Sequence, residues 1–328
     1  MCYADKHNSQ SNKVWLMEKS NFDFCDNLKK KLKDTLVTDE NKVVVKIQGG
    51  LGRQMFQYAC ARAYALRYAK KLFLDISSGA PWSKSKRPYQ LDVFNINAEI
   101  LSEEEVKKWH AKLRFPRFLR KFLGFKIYEE NPQKFRYNSK VVCNGNYRYL
   151  SGRFASDRYF EGFEDEICHD FDFRTAPSPA NQKLIDKITS ENSVGIHVRC
   201  KPYAYTKNFS EMRGMCSFDY YMSAINYIIR RVEKPVFYIF SDNPQWVKEN
   251  FKISYPTTIV TLNEDKNCFD DLRLMSLCKH NIMANSFFSW WASWLNKNRH
   301  KIIIAPEKWF HTKDLDVTDL IPENWIKM

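Results

Sequence analysis

The stretch KVVVKIQGGLGRQMFQYACARAYALRYAKKLFLD, residues 42–75, decides the fold. Val43, Val44, Val45 and Ile47 form a β-branched apolar run that reads as a buried strand. Gly49, Gly50 and Gly52 break it around Leu51. Across residues 54–70, Met55, Ala59, Ala63 and Leu66 recur at helical spacing. Leu72, Phe73, Leu74 and Asp75 then read as a second strand. Strand, glycine turn, helix and strand in this order make a βαβ unit, whose strands are parallel.

The second half repeats that grammar. Strands are expected at 193–198, 236–240, 257–261, 281–284 and 302–305. Helices are expected between them at 218–231, 244–251, 269–278 and 287–296. Such alternation implies a parallel, doubly wound α/β sheet. Residues 174–180 (RTAPSPA) read as a linker. The expected order is an N-terminal extension at 1–41, with a short helix near 27–36, and a Rossmann-like domain at 42–175. A second Rossmann-like domain follows at 181–305, then a C-terminal tail at 306–328. Residues 102–130 read as helices, and 147–160 as a strand and turn leading to a short helix.

The chain of 328 residues carries 52 Lys and Arg against 38 Asp and Glu, a net charge of +14, which favours anionic partners. No zinc-finger spacing or basic zipper accompanies the charge, so no nucleic-acid partner is expected. Nine cysteines without a CxxC pair fit reduced thiols better than a disulfide framework or a zinc site. Residues 1–20 lack the apolar core of a leader, and no apolar run is long enough to span a bilayer. A cytoplasmic location is expected. The basic, Phe- and Leu-rich run KLRFPRFLRKFLGFK at 112–126 suggests peripheral contact with the inner membrane, although a surface helix pair gives the same pattern.

Ligands of doubly wound sheets lie outside the carboxyl ends of the strands. That directs attention to 49–54, 197–203, 241–243 and 284–289. The glycines at 49–52 admit a phosphate or sugar close to backbone N–H groups at a helix N-terminus, or simply make a tight turn. Arg199, two residues after His197, offers a guanidinium to a diphosphate leaving group. No pair of aspartates spaced as a metal clamp occurs at a strand end, so arginine is expected in place of a metal. Ser241 and Asp242 are placed either to accept from ribose or guanine or to cap the next helix. Residues 285–291 (NSFFSWW) open a helix with hydroxyls and N–H groups suited to an anion, while Trp290, Trp291 and Trp294 read as core.

Three segments together resemble the alpha-1,2-fucosyltransferase family: GGLGRQMFQYA at 49–59, SVGIHVR at 193–199 and DLRLMSLCKHNIMANSFFSWWASWL at 271–295. Phe240-Ser241-Asp242 and GRFASDRYF at 152–160 agree with weaker segments. The resemblance implies a GT-B fold, GDP-β-L-fucose as donor, a galactoside acceptor, inversion at the anomeric carbon and no metal or other cofactor. It carries a catalytic role to His197 and Arg199, with Arg199 facing the pyrophosphate. Ser241, Asp242, Asp271, Asn285, Ser286 and Ser289 would line the nucleotide pocket, with Gly50, Gly52, Arg53 and Gln54 facing it from the first domain.

Two departures stand out. The family reads His-x-Arg-Arg-x-Asp, where this chain has Cys200 for the second arginine and Pro202 for the aspartate. It also has Arg53 where the family has asparagine. Loss of one charge-assisted contact costs about 1.5–3 kcal/mol, which Lys201 and Arg53 would partly offset. The acceptor hydroxyl still needs a base, and Asp75 at the end of a strand is the acceptor-side or base candidate, with a structural turn residue as the plainer reading. A related transferase with another donor or acceptor, and a catalytically silent nucleotide- or glycan-binding protein, remain open on the residues alone.

Overall fold

The computed structural model describes residues 41–79, 87–122, 125–131, 135–200, 214–263, 268–310 and 315–328. In the first domain the strands are β1 (Lys42–Lys46), β2 (Lys71–Asp75), β3 (Glu99–Ile100), β4 (Lys126–Glu129) and β5 (Tyr147–Ser151). They form one parallel sheet in the order β3-β2-β1-β5-β4. Helix α1 (Leu51–Arg67) covers one face and α2 (Glu103–Leu113) the other. Val43 and Val45 join the α1 side, and Val44 packs with Phe73, Trp109 and Tyr149 on the α2 side. Both parities of β1 are apolar because both faces are covered. A capping box fixes the start of α2, with Ser102 and Glu105 each bonding the other's backbone N–H. The helices α3 (Arg117–Phe122), α4 (Ser139–Val142) and α5 (Glu164–Asp170) complete this domain.

The second domain runs α6 (Pro179–Ser190), β6 (Ser193–Val198), α7 (Phe218–Ile229), β7 (Val236–Ser241), α8 (Pro244–Asn250) and β8 (Thr257–Ile259). It continues through α9 (Cys268–Leu277), β9 (His280–Ile282), α10 (Phe287–Trp294), β10 (Ile303–Ala305) and β11 (Ile326–Lys327). The sheet is parallel throughout, in the order β11-β10-β9-β6-β7-β8. The chain therefore leaves β6 to one side and returns on the other. That reversal makes a switch point between β6 and β9, and the first sheet has its counterpart between β1 and β5.

Three expectations need correction. Residues 126–129 are a strand, not the end of a helical region, because the helical run stops at α3 and Tyr128 and Ile127 pair with β5. Residues 306–328 are no tail: β11 extends the second sheet, and Trp309, Leu320 and Trp325 are buried. Helix α6 was not foreseen before β6; Ser178 caps it and Pro179 starts it, inside the expected linker. The helix expected near 27–36 lies outside the described residues.

The carboxyl edges of the two sheets meet where α1 and α10 begin. Phe56 of α1 packs its ring 4.5–5.2 Å from those of Phe287, Trp290 and Trp291. The Trp291 indole N–H donates to the Gly52 carbonyl at 3.0 Å. A Cβ on Gly52 would fall 2.5 Å from the Phe287 carbonyl carbon and 2.7 Å from the Phe288 nitrogen. Only glycine lets the two helix ends approach so closely. One apolar cluster consequently runs from Val43 through Trp291 to Trp325, crossing the boundary between domains.

Candidate active site

At the second switch point, β6 delivers His197 and Arg199, β7 delivers Ser241 and Asp242, and the turn after β9 delivers Asn285 and Ser286. His197 is buried. Burial, and then the nearby Arg199 charge, pull its imidazole down to about 3, so it is neutral at pH 7. Its Nδ1 is buried and has no hydrogen-bond partner among the described residues. Arg199 reaches Ser286 with a long Nη1–Oγ contact of 3.5 Å. Ser286 also caps α10 by accepting from the Phe288 N–H at 3.3 Å. A guanidinium thus lies at the N-terminus of a helix, two positive features side by side.

The remaining residues of this edge hold the frame. Asp242 accepts from the Cys200 N–H at 2.7 Å, and Ser241 Oγ lies 3.5 Å from the Cys200 sulfur. Burial raises the Cys200 thiol, so the side chain that stands in the arginine position brings no charge of its own. Asn285 is buried and donates to the Trp309 carbonyl at 3.1 Å and the Gly214 carbonyl at 3.3 Å. Ser289 turns back on its own helix, donating to Ala284 and Ser286 carbonyls at 3.2 Å each. Asp271 lies on α9 and accepts from Asn263 at 2.7 Å. Burial raises its carboxyl to about 6, with the Asn263 bond opposing and Asp270 adding to the shift. No hydrogen bond joins Asp271 to the Arg199–Ser286 pair among the described residues.

Across the meeting line the first domain contributes differently. Gly52 is consumed by the contact with Phe287. Gln54 is buried, donates to the Gly49 and Pro88 carbonyls at 2.8 Å each and accepts from the Gln90 N–H at 2.9 Å. It clasps the glycine turn. Gly49 has φ +90°, and Arg53 Cδ lies 2.8 Å from where its Cβ would be. A Cβ on Gly50 would lie 3.0 Å from Arg87 Nη1. Two guanidinium side chains therefore border the turn. Arg87 gave no signal in the sequence, since it lies far along the chain from the motif.

Asp75 does not serve as the expected base. It is fully buried and accepts from Ser77 N at 2.9 Å, Tyr149 Oη at 2.5 Å and His110 Nε2 at 2.8 Å. Burial would raise its carboxyl, but these bonds outweigh burial and hold it below the usual carboxylate value. A carboxylate so satisfied is a poor proton acceptor, and it anchors the end of β2 to α2 and β5. Glu130, which sequence reasoning missed, stands directly after β4 at the carboxyl edge. Its place is hidden in the sequence because β4 follows a basic amphipathic run that reads as helix.

Two doubly wound domains meet at their carboxyl edges, with a guanidinium and a helix N-terminus on the meeting line, an architecture of GT-B type. The description of glycosyl transferase family 11 matches residues 6–328, and the chain belongs to that family. An alpha-1,2-colitosyltransferase of Escherichia coli is 30% identical over 304 residues, covering 87% of this chain and 98% of that protein. The O-antigen biosynthesis glycosyltransferase WbnK of Escherichia coli is 28% identical over 312 residues, covering 86% and 99%. Among solved structures, fucosyltransferase NodZ from Bradyrhizobium is 15% identical with a TM-score of 0.43, covering 77% of this chain and 91% of that one.

Proposed function

We propose that this glycosyltransferase moves L-fucose from GDP-β-L-fucose, with inversion, to the 2-hydroxyl of a galactoside in a surface glycan. The observation that carries this reading is Arg199 held against Ser286 at the capped start of α10. When the bond between sugar and diphosphate breaks, negative charge grows on the leaving phosphate. A guanidinium and the N-terminal amides of α10 stabilise that charge without a metal, most effectively where water is scarce. His197, kept neutral, can donate or accept a single hydrogen bond through Nδ1 without adding repulsion beside Arg199. Asp242 and Asn285, fixed by the bonds described above, border the space proposed for the nucleoside.

A second donor deserves a place because one relative is named a colitosyltransferase and carries the same alpha-1,2 label. The deciding experiment offers the full chain GDP-fucose, the corresponding colitosyl nucleotide and UDP-sugars against a panel of galactosides, with and without EDTA. Turnover of GDP-fucose that survives EDTA is the expected result. Turnover of the colitosyl donor alone would move the donor assignment, and GDP binding with no turnover of any donor would reject the transferase reading for a silent binding protein. No helix among the described residues is long and apolar enough to cross a membrane. We place peripheral membrane contact at 112–126, where Phe118 is 75% exposed, and expect sedimentation with anionic but not neutral vesicles.

A further inference from the structure

We propose that Glu130 is the general base that takes the proton from the acceptor hydroxyl, an inference that rests on the transferase reading above. Four observations converge on this side chain. It continues the carboxyl end of β4, its N–H donating to the Ser151 carbonyl at 2.8 Å. That puts it beside the loop after β5, which flanks the switch point of the first sheet.

Its carboxylate is held by backbone, not by flexible side chains. Oε2 accepts from the Arg153 N–H at 2.5 Å and the Phe154 N–H at 3.3 Å. Its other oxygen takes no hydrogen bond from the described residues. The donors are themselves locked. Phe154 has φ +53°, a left-handed conformation that a bulky residue rarely adopts. Gly152 leaves no room for a side chain, since a Cβ there would lie 2.8 Å from Glu130 Cβ. Gln57 ties the loop to the glycine turn, donating to the Gly152 carbonyl at 2.8 Å and accepting from Gln48 N–H at 2.9 Å.

The loop also reaches the donor side. The Arg153 guanidinium lies 4.5 Å over the Phe135 ring, and Phe135 packs against Phe310 at 5.0 Å and Phe287 at 6.4 Å. Phe287 directly follows Ser286, the partner of Arg199. Glu130 is thus linked through packed side chains to the segment that carries Ser286. The groups facing it are Arg53 and Cys60 of α1, Arg153 of the loop, Tyr128 of β4 and Tyr159. Cys60 and both tyrosines are pushed up by burial and stay neutral, so only the two arginines bring charge. Burial raises the Glu130 carboxyl above its ordinary value, while the two amides and the arginines oppose without cancelling it. A carboxylate with one oxygen not taken by the described residues and with raised basicity suits proton abstraction.

In the step, the acceptor oxygen bonds to the anomeric carbon from the face opposite the diphosphate. Its proton passes to the Glu130 oxygen that the loop amides do not hold. The bond from sugar to diphosphate breaks, and its electron pair leaves with the phosphate toward Arg199. GDP, the glycoside and a protonated Glu130 result, and the proton then passes to solvent.

The test compares Glu130→Gln with Glu130→Asp in the full chain, using GDP-fucose with lactose as probe, and GDP alone in calorimetry. Glutamine keeps an oxygen for the two amides but cannot take a proton. Aspartate keeps the charge on a shorter arm. A base predicts that Glu130→Gln loses at least about 10²-fold in kcat and the acid limb of its pH profile, while binding GDP within twofold of wild type. Glu130→Asp should retain that limb and more of the rate. A residue that merely anchors the loop predicts the reverse order, with glutamine at least as active as aspartate and the acid limb unmoved, and that result would overturn the proposal. Wild-type protein that binds GDP but transfers nothing would overturn it too, by removing the transferase reading beneath it.

Discussion

The two switch points occupy the same topological position and do different work. At the ends of β6, β7 and β9, the polar side chains meet: Arg199 reaches Ser286, and Asp242 fixes the backbone of Cys200. At the end of β1, the glycine turn that reads as a phosphate cradle is also a packing point. Gly52 lies against the backbone of Phe287, and Gln54 uses its whole amide group on Gly49, Pro88 and Gln90. Glycines at a helix N-terminus therefore need not mean a bound anion. Here Gly52 lets another helix arrive at backbone distance. The polar content of this edge comes instead from Arg53 and Arg87 bordering the turn and from Glu130 beyond it.

The contrast can be broken most decisively at Arg199. Arg199→Ala should lower kcat/KM by about 10²–10³-fold, as removal of a leaving-group contact does, with little change in melting temperature. Full activity would remove the diphosphate role. Gly52→Val should do the opposite, destabilising the fold by about 1–3 kcal/mol through overpacking against Phe287 while leaving the KM for the donor of the surviving folded fraction near wild type. A variant with unchanged melting temperature and weakened donor binding would restore the turn as a ligand cradle.

The smallest effect lies at Asp271. Its folded carboxyl holds a proton up to about 6, above the ordinary value of roughly 3.9 for an unfolded chain. Folding therefore takes up a proton between those values. The stabilisation is full below about pH 4 and is lost as pH rises through 6. Denaturant titrations of Asp271→Asn should show a flatter stability profile across that window than wild type. An identical profile would show that Asp271 is not the group titrating there. His197, neutral throughout, should contribute no limb near 6.5 to the activity profile, and His197→Gln should leave the shape of that profile unchanged.

What the sequence revealed follows the reach of its signals. The alternation across 193–305 was legible because each strand and helix is written in contiguous apolar spacing, and the strand at 193–198 falls where expected. Arg199, Asp242 and Ser286 were legible for the same reason, each standing immediately after such a strand. Asp75 obeyed the same rule and misled. Its side chain turns toward α2, where His110 and Tyr149, 35 and 74 residues away, satisfy it. No local pattern announces a partner at that distance. β4 was lost because its four residues follow a basic amphipathic run that reads as helix, and with it went the standing of Glu130 at a strand end. β11 was lost because two residues at the very end of the chain are too short to show a period.

The contact between Gly52 and Trp291 has a mechanical corollary. It is one of several ties along the boundary between the domains, with the Tyr137 N–H donating to Asp319 at 2.9 Å and Arg158 paired with Asp319 at 2.9 Å, so relative motion of the domains has to strain a seam and not a single point. Phe287, which follows Ser286, and Phe135, under the Arg153 guanidinium, belong to that seam, so the partner of Arg199 and the loop that holds Glu130 are braced through it.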